Sequence, residues 1–342
     1  MVKLAEINHA NASLKSLPPP TAVVVGATSG IGLSFLRQLA KSTTSPKIYI
    51  VGRSQPALTA LIASLTETNP SGTYIPILTP DLTLVSNAHA AATEILRQET
   101  SQKIDILYLS PGYLTFRARD TSPEDLDRVT ALRFYSRMRF VLDLLSLLQR
   151  STFFGEGGGG RVITVLGAGQ EGTIYPSDLS LKEKGHTGAV RLGGVASTYT
   201  TLFLEELARR YPTVSFVHTF PGVVDTNAYR HPEHLGPVAR FLMRWVLFGL
   251  LKWFVTTPVE EVGKRTLYAA TAGVFAPAAA AGQVADGDVA KGSDGMRGSG
   301  CYTVDAKCET IWNRKLVALR EQGMGEKVWE HTMAEFERIL GA

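Results

Sequence analysis

The chain has 342 residues, 44% hydrophobic and 19% charged, which excludes a disordered polymer. Its net charge of +4, from 35 basic and 31 acidic residues, is too evenly mixed to argue for nucleic acid as a partner. Two cysteines, Cys301 and Cys308, exclude a disulfide scaffold and any multi-cysteine metal cluster and suggest a reducing compartment.

In chain order, residues 1–20 lack an apolar core and are expected to be a solvated lead-in rather than a signal peptide. Thr21 to Val25 is a β-branched strand. It ends in Gly26-Ala27-Thr28-Ser29-Gly30-Ile31-Gly32, and Ile31, Phe35, Leu36 and Leu39 then recur at helical spacing. Lys47 to Val51 predicts a second strand, ending at Gly52-Arg53-Ser54 before a helix over 56–68. Tyr74 to Leu78 predicts a third strand, with Asp81-Leu82 beyond it and a helix over 90–97. Ile104 to Leu109 is the fourth strand, Leu126 to Leu148 a long helix, and Arg161 to Leu166 the fifth strand. Gly193 to Arg210 is helical, and Val214 to His218 is a sixth strand, ending at Pro221-Gly222. Strands that alternate with helices and are apolar throughout predict a doubly wound parallel sheet, covered on both faces. One domain is expected, over 21–277. A mobile loop and helical tail over 278–342 complete the chain.

A strand, then Gly26-x-x-x-Gly30-x-Gly32, then a helix is a phosphate cradle. Glycines let the backbone approach a pyrophosphate, and the helix start offers unpaired N–H groups. Cofactor-binding residues are therefore expected at Gly26, Thr28, Ser29, Gly30, Ile31 and Gly32. After the second strand an acidic residue would bond the ribose hydroxyls of NAD. Arg53 stands there instead, which suits the 2′-phosphate of NADP. Asp81 and Leu82 are placed to border the adenine.

These residues resemble the short-chain dehydrogenase/reductase superfamily over roughly residues 20 to 228. The glycine loop, Asp81-Leu82 and Pro221-Gly222-Val223-Val224-Asp225-Thr226 are similar to three of its ordered motifs, and the resemblance implies that Pro221, Gly222 and Val223 lie beside the nicotinamide. The tail at Glu326-Lys327-Val328-Trp329-Glu330-His331-Thr332 resembles a fungal branch found with secondary-metabolite pathways. The resemblance also implies a catalytic tyrosine, a lysine one helical turn later, a serine after the fifth strand and a helical asparagine. This chain departs at each position. Gly167 stands where the serine belongs, Ala189 and Gly193 fall at the tyrosine and lysine positions, and Arg133 lies near the asparagine position. No Tyr-x-x-x-Lys occurs between the fifth and sixth strands, and the stretch from Gly167 to Ala189 implies an insertion.

Reduction of a carbonyl needs a proton donor beside the oxygen. Two substitutes stand out: Tyr175, either a donor or a packing residue, and His186, either a donor or base or a surface residue. Arg133 and Arg137, at i, i+4, either bind an anionic substrate group or form a solvated or dimer-facing pair. His231 and His234 have nothing nearby to complete a three-ligand site, so no metal is expected.

Pro237 to Val255, within a substrate-covering segment at 228–258, is aromatic and apolar, with Arg240, Arg244 and Lys252. Three readings stand for it: a lid over a lipophilic substrate, a helix in peripheral contact with a membrane interface, or a dimer or core helix. No run reaches the roughly 18 apolar residues of a membrane span, so a cytoplasmic protein is expected, with membrane association left open. The resemblance implies a homo-oligomer built on the Leu126 and Gly193 helices. The expected function is NADP-dependent oxidation or reduction of a hydrophobic carbonyl or alcohol, with a non-standard proton donor. The alternatives are a non-redox isomerase, cyclase or dehydratase on the same fold and an inert NADP-binding protein.

Overall fold

A computed structural model describes residues 2–113, 119–155, 158–183, 185–224, 256–283 and 289–341. The first six strands are β1 Thr21–Val25, β2 Lys47–Gly52, β3 Thr73–Leu78, β4 Ile106–Leu109, β5 Arg161–Val165 and β6 Ser215–Thr219. Two short strands, β7 Val223–Val224 and β8 Thr256–Thr257, pair only with each other. The main sheet is completed by β9 Cys301–Val304, in the order β3-β2-β1-β4-β5-β6-β9, and all its pairs are parallel. Every residue of β1, β4, β5, β6 and β9 is buried, as expected of strands covered on both faces.

Helices α2 Gly30–Ser42 and α3 Gln55–Thr68 pack on one face, with α8 Val259–Thr271 against α2. Phe35 of α2 stacks on Tyr108 of β4 with ring centres 3.7 Å apart. The other face carries α4 Val85–Gln98, the run α5 Arg128–Thr130, π-turn Ala131–Tyr135 and α6 Ser136–Gln149, and then α7 Ala189–Arg210. Parallel strands joined by helices place every strand's carboxyl end on one edge, so the loops after β1 to β6 all open there.

Two regions differ from the sequence reading. Residues 1–20 contain helix α1 Leu4–Ser13, docked on α8 through buried Ile7 and an Asn11 Nδ2 bond of 2.9 Å to the Lys264 carbonyl. One apolar anchor in ten residues gives too little periodicity to announce it. The stretch expected to be a mobile loop and tail supplies β9. Its four residues sit within Ala, Gly and Asp, yet Tyr302 is fully buried and its hydroxyl donates to the Ala276 carbonyl at 2.7 Å. The tail itself forms α9 Lys315–Glu321 and α10 Met324–Leu340. α10 lies over the outer side of α7 and the π-turn, where Trp329 stacks on Phe203 and His331 Nε2 bonds the Tyr135 hydroxyl at 2.8 Å. The faces expected to build an oligomer are thus partly covered by the chain's own C-terminal helix.

Arg161 opens β5 with no solvent exposure. Its guanidinium donates to the carbonyls of Ala269, Ala272 and Phe275 at 3.4, 2.8 and 2.7 Å and lies 4.3 Å from the Phe154 ring. These carbonyls belong to the C-terminal end of α8 and the turn beyond it, where a positive charge is favourable. Burial lowers the Arg161 pKa to about 9, which still leaves it charged at neutral pH. Arg161→Leu should strip the partner from three carbonyls and cost about 3 kcal/mol of unfolding free energy in urea titrations, whereas an exposed change such as Glu67→Gln should cost little.

Candidate functional site

The loops at the carboxyl edge enclose a cavity of about 1100 Å³. Gly26, Thr28, Ser29, Gly30, Ile31 and Gly32 all line it, as do Arg53, Asp81 and Leu82. The glycine loop is required by close approach. Gly26 and Gly30 hold φ of +85° and +58°, a region that side chains other than glycine rarely adopt. A Cβ on Gly26 would lie 2.8 Å from the Pro111 nitrogen. One on Gly32 would collide with the Gly26 carbonyl oxygen and lie 2.6 Å from Ser110 Oγ. Bare backbone therefore faces the cavity from the β1–α2 turn, with the start of α2 aimed at it. That arrangement fits a pyrophosphate.

At the end of β2, Arg53 is exposed on the cavity and no carboxylate stands at that strand end. Ser54 instead caps α3 by accepting from the Ala57 N–H at 3.4 Å. Asp81 accepts from the Thr83 N–H at 2.8 Å, and Arg128 Nη1 reaches its other oxygen at 3.2 Å. Pro221 lines the cavity, but Gly222 and Val223 do not: Val223 turns away into the β7–β8 pair. Asp225, Thr226, His231, His234 and the whole of 237–255 lie outside the described residues.

The structure brings Tyr175 and His186 together. Tyr175 is half-buried on the cavity wall, and its ring stacks on that of His186 with centres 3.5 Å apart. His186 is off the wall, with Nδ1 on the Asp178 carboxylate at 2.7 Å. Asp178, Glu183 and His186 place ligand atoms within 4.8 Å of one another, a cluster the sequence spacing did not suggest. Both Asp178 oxygens already accept hydrogen bonds, from the Lys182 and Glu183 N–H groups and from His186. Gly167 and Gly193 line the cavity, and Ala189 starts α7.

Arg133 and Arg137 are not a solvated pair. Arg133 lies in the π-turn, lines the cavity and donates from Nη2 to the Tyr113 carbonyl at 2.9 Å. Arg137 is 1% exposed and donates to Thr164 Oγ1, the Val165 carbonyl and the Pro111 carbonyl at 2.7, 2.8 and 2.6 Å. Burial, with Arg133 nearby, lowers its pKa to about 9.

A buried polar chain backs the cavity wall, with no periodic or motif signal in the sequence to announce it. His218 of β6 is fully buried, and its Nε2 accepts from the Gly167 N–H at 3.2 Å. A backbone N–H can only donate, so the His218 proton sits on Nδ1 and points to Thr201 Oγ1 at 2.8 Å. Thr201 in turn donates to Glu171 Oε1 at 2.9 Å, and Glu171 Oε2 accepts from Asn313 at 2.7 Å. Residues from β6, α7, the loop after β5 and the approach to α9 are joined by these bonds.

The profile of the short chain dehydrogenase family matches residues 20–174. Oxidoreductase AN1596 of Emericella nidulans is 37% identical over 348 aligned positions, covering 99% of both chains. The chain belongs to the short-chain dehydrogenase family. Short-chain dehydrogenase/reductase SAT2 of Stachybotrys chartarum is 28% identical over 99% of this chain and 98% of its own. Among solved structures, the L-sorbose reductase of Gluconobacter frateurii, complexed with NADPH and L-sorbose, superposes with a TM-score of 0.56 at 16% identity. It covers 75% of this chain and 91% of its own. Among the described residues of this short-chain dehydrogenase, no helix is long and apolar enough to cross a membrane.

Burial pushes the His218 imidazole down to about 4, against the opposing pull of Glu171 at 3.9 Å. The folded pKa thus lies below the unfolded value of 6.5. As pH falls below about 6.5 the unfolded chain takes up a proton that the native site refuses, so stability is lost from there down to about 4. Urea midpoints measured across that window should fall by the equivalent of about 3 kcal/mol more for the native protein than for His218→Gln.

Proposed function

We propose that this chain is an NADP-dependent oxidoreductase acting on a hydrophobic carbonyl or alcohol. The observation that carries the reading is one cavity with a glycine cradle after β1 and a cation, without a carboxylate, after β2. The Gly26–Gly32 backbone and the start of α2 would hold the pyrophosphate, Arg53 the 2′-phosphate, Asp81 and Leu82 the adenine edge, and Pro221 the nicotinamide side. When bound, the nicotinamide supplies the hydride. The remaining wall includes Leu132, Val165, Leu166 and Phe220, which supports an apolar substrate. The tail's resemblance to a fungal branch carries the reading of a setting in secondary metabolism, and fungal relatives align over the whole chain, tail included.

The chain's own contribution to the chemistry is a proton held at the substrate oxygen. Tyr175 is the proposed donor: it lies on the cavity wall, and its ring is held by stacking on His186, which Asp178 fixes through Nδ1. Tyr175→Phe should lower kcat for NADPH oxidation about 10²–10⁴-fold and leave NADPH affinity unchanged. Retention of full kcat would remove Tyr175 from the mechanism.

The cofactor assignment is tested by titrating NADPH and NADH into the purified protein and following nicotinamide fluorescence. Arg53→Ala should weaken NADPH at least about tenfold, the worth of one charge-assisted contact, with little change for NADH. Equal affinities for the two nucleotides in the native protein would defeat the NADP reading.

A further inference from the structure

Beyond β5 the chain runs past Leu166 and Gly167 along the cavity wall, and Gly167 offers no side chain there. A Cβ built on Gly167 would lie 2.6 Å from Ser197 Oγ and 3.7 Å from Ser197 Cβ. The space that a residue at 167 would use is therefore held by a hydroxyl delivered from α7. Ser197 is 1% exposed, yet it lines the cavity. Its hydroxyl donates back along the helix to the Gly193 carbonyl at 2.9 Å. That bond holds Oγ in place and is weak enough to be exchanged when a better acceptor arrives.

The surroundings leave this hydroxyl as a buried, positioned donor beside Gly167, where Gln170 is exposed. The Gly167 N–H is turned away into His218. Thr198, the next residue, is committed to the loop after β5, with Oγ1 at 2.7 Å from the Gly172 carbonyl. The same loop returns a bond from the Gly172 N–H to the Gly194 carbonyl at 3.0 Å, and a Cβ on either glycine would come within 3.0 Å of the other's Cα. The loop is thereby fixed to the first turns of α7, and Ser197 is fixed with it. Across the Gly193 turn, Arg133 Nη1 comes within 3.6 Å of where a Gly193 Cβ would stand. A hydroxyl and a guanidinium thus flank one bare turn of helix on the cavity wall.

Building on the hydride-transfer reading above, we propose that Ser197 donates the hydrogen bond that holds the substrate's carbonyl oxygen, from the place left empty by Gly167, with Arg133 adding positive charge on the same wall. Ser197 neither gains nor loses a proton in the reaction. It turns its O–H from the Gly193 carbonyl to the substrate oxygen and strengthens that bond as negative charge develops.

The test relocates the hydroxyl. Full-length protein and the variants Ser197→Ala, Gly167→Ser and the double variant Gly167→Ser with Ser197→Ala are compared in two measurements. One is NADPH affinity by fluorescence. The other is NADPH oxidation with 2-decanone, decanal and menadione as probes. Ser197→Ala should lose about 100-fold in kcat/KM with unchanged NADPH affinity, the scale of one lost oxygen-binding donor. Gly167→Ser alone should also be impaired, because its Cβ meets Ser197 Oγ. The double variant should regain at least tenfold over Ser197→Ala, since it returns a hydroxyl to the same space. Wild-type turnover in Ser197→Ala, a loss there that tracks weakened NADPH binding, or a double variant as slow as Ser197→Ala would each overturn the assignment. A native protein that binds NADPH but oxidises it with none of the probes would overturn the hydride-transfer reading and this assignment with it.

Discussion

Arg137 reaches from α6 into the gap between the carboxyl ends of β4 and β5, and the cavity floor depends on it. Parallel strands separate beyond their last shared hydrogen bond, which leaves carbonyls without partners at the edge where ligands bind. One guanidinium answers two of those carbonyls, at Pro111 and Val165, and also donates to the Thr164 hydroxyl. A charge with no solvent contact is costly, and its lowered pKa reports that cost. The three short bonds offset it. Pro111, fixed by Arg137, is also the residue whose nitrogen approaches Gly26, so the cradle is braced from the same point.

The geometry of the two arginines explains why their sequence spacing misleads. At i, i+4 on an α-helix they would share a face. The π-turn Ala131–Tyr135 intervenes, and its wider winding changes which direction each side chain takes. Arg133 then looks into the cavity from the turn itself, while Arg137 goes beneath it. No periodicity rule applied to the apolar residues of this stretch would separate the two, because Leu132, Phe134, Tyr135 and Met138 are all buried on the continuous core around them.

The sequence made the first six strands and the glycine cradle legible, because β-branched runs followed by glycine are local patterns with a local cause. Arg53 and Asp81 followed from strand ends alone. The rest depends on encounters between distant segments. β9 is four residues long and gains its burial only by joining β6, and α1 gains its place from α8. His218 looks like any strand residue until Gly167, Thr201 and Glu171 surround it. Ser197 looks like an ordinary helix serine until the bare Cα of Gly167 faces it. In each case the signal is a pair of residues far apart in the chain, and single-sequence patterns do not encode such pairs.

The electrostatics of the wall then follow from what is locked and what is not. Glu171 is a carboxylate of the loop after β5, and its oxygens accept from Gly169 of the same loop, from Thr201 and from Asn313. His218 is held neutral by burial, so it adds no positive charge of its own behind Gly167. Positive charge at this end of the cavity comes from the guanidinium groups of Arg133 and Arg137, and Arg191 and Lys315 add to it from the same wall. A substrate oxygen that gains electron density on reduction would meet positive potential and a hydroxyl there rather than a free carboxylate. A lysine on α7 is one way to supply such potential. Here an arginine of the neighbouring π-turn, passing over a glycine, would supply it without any side chain at position 193.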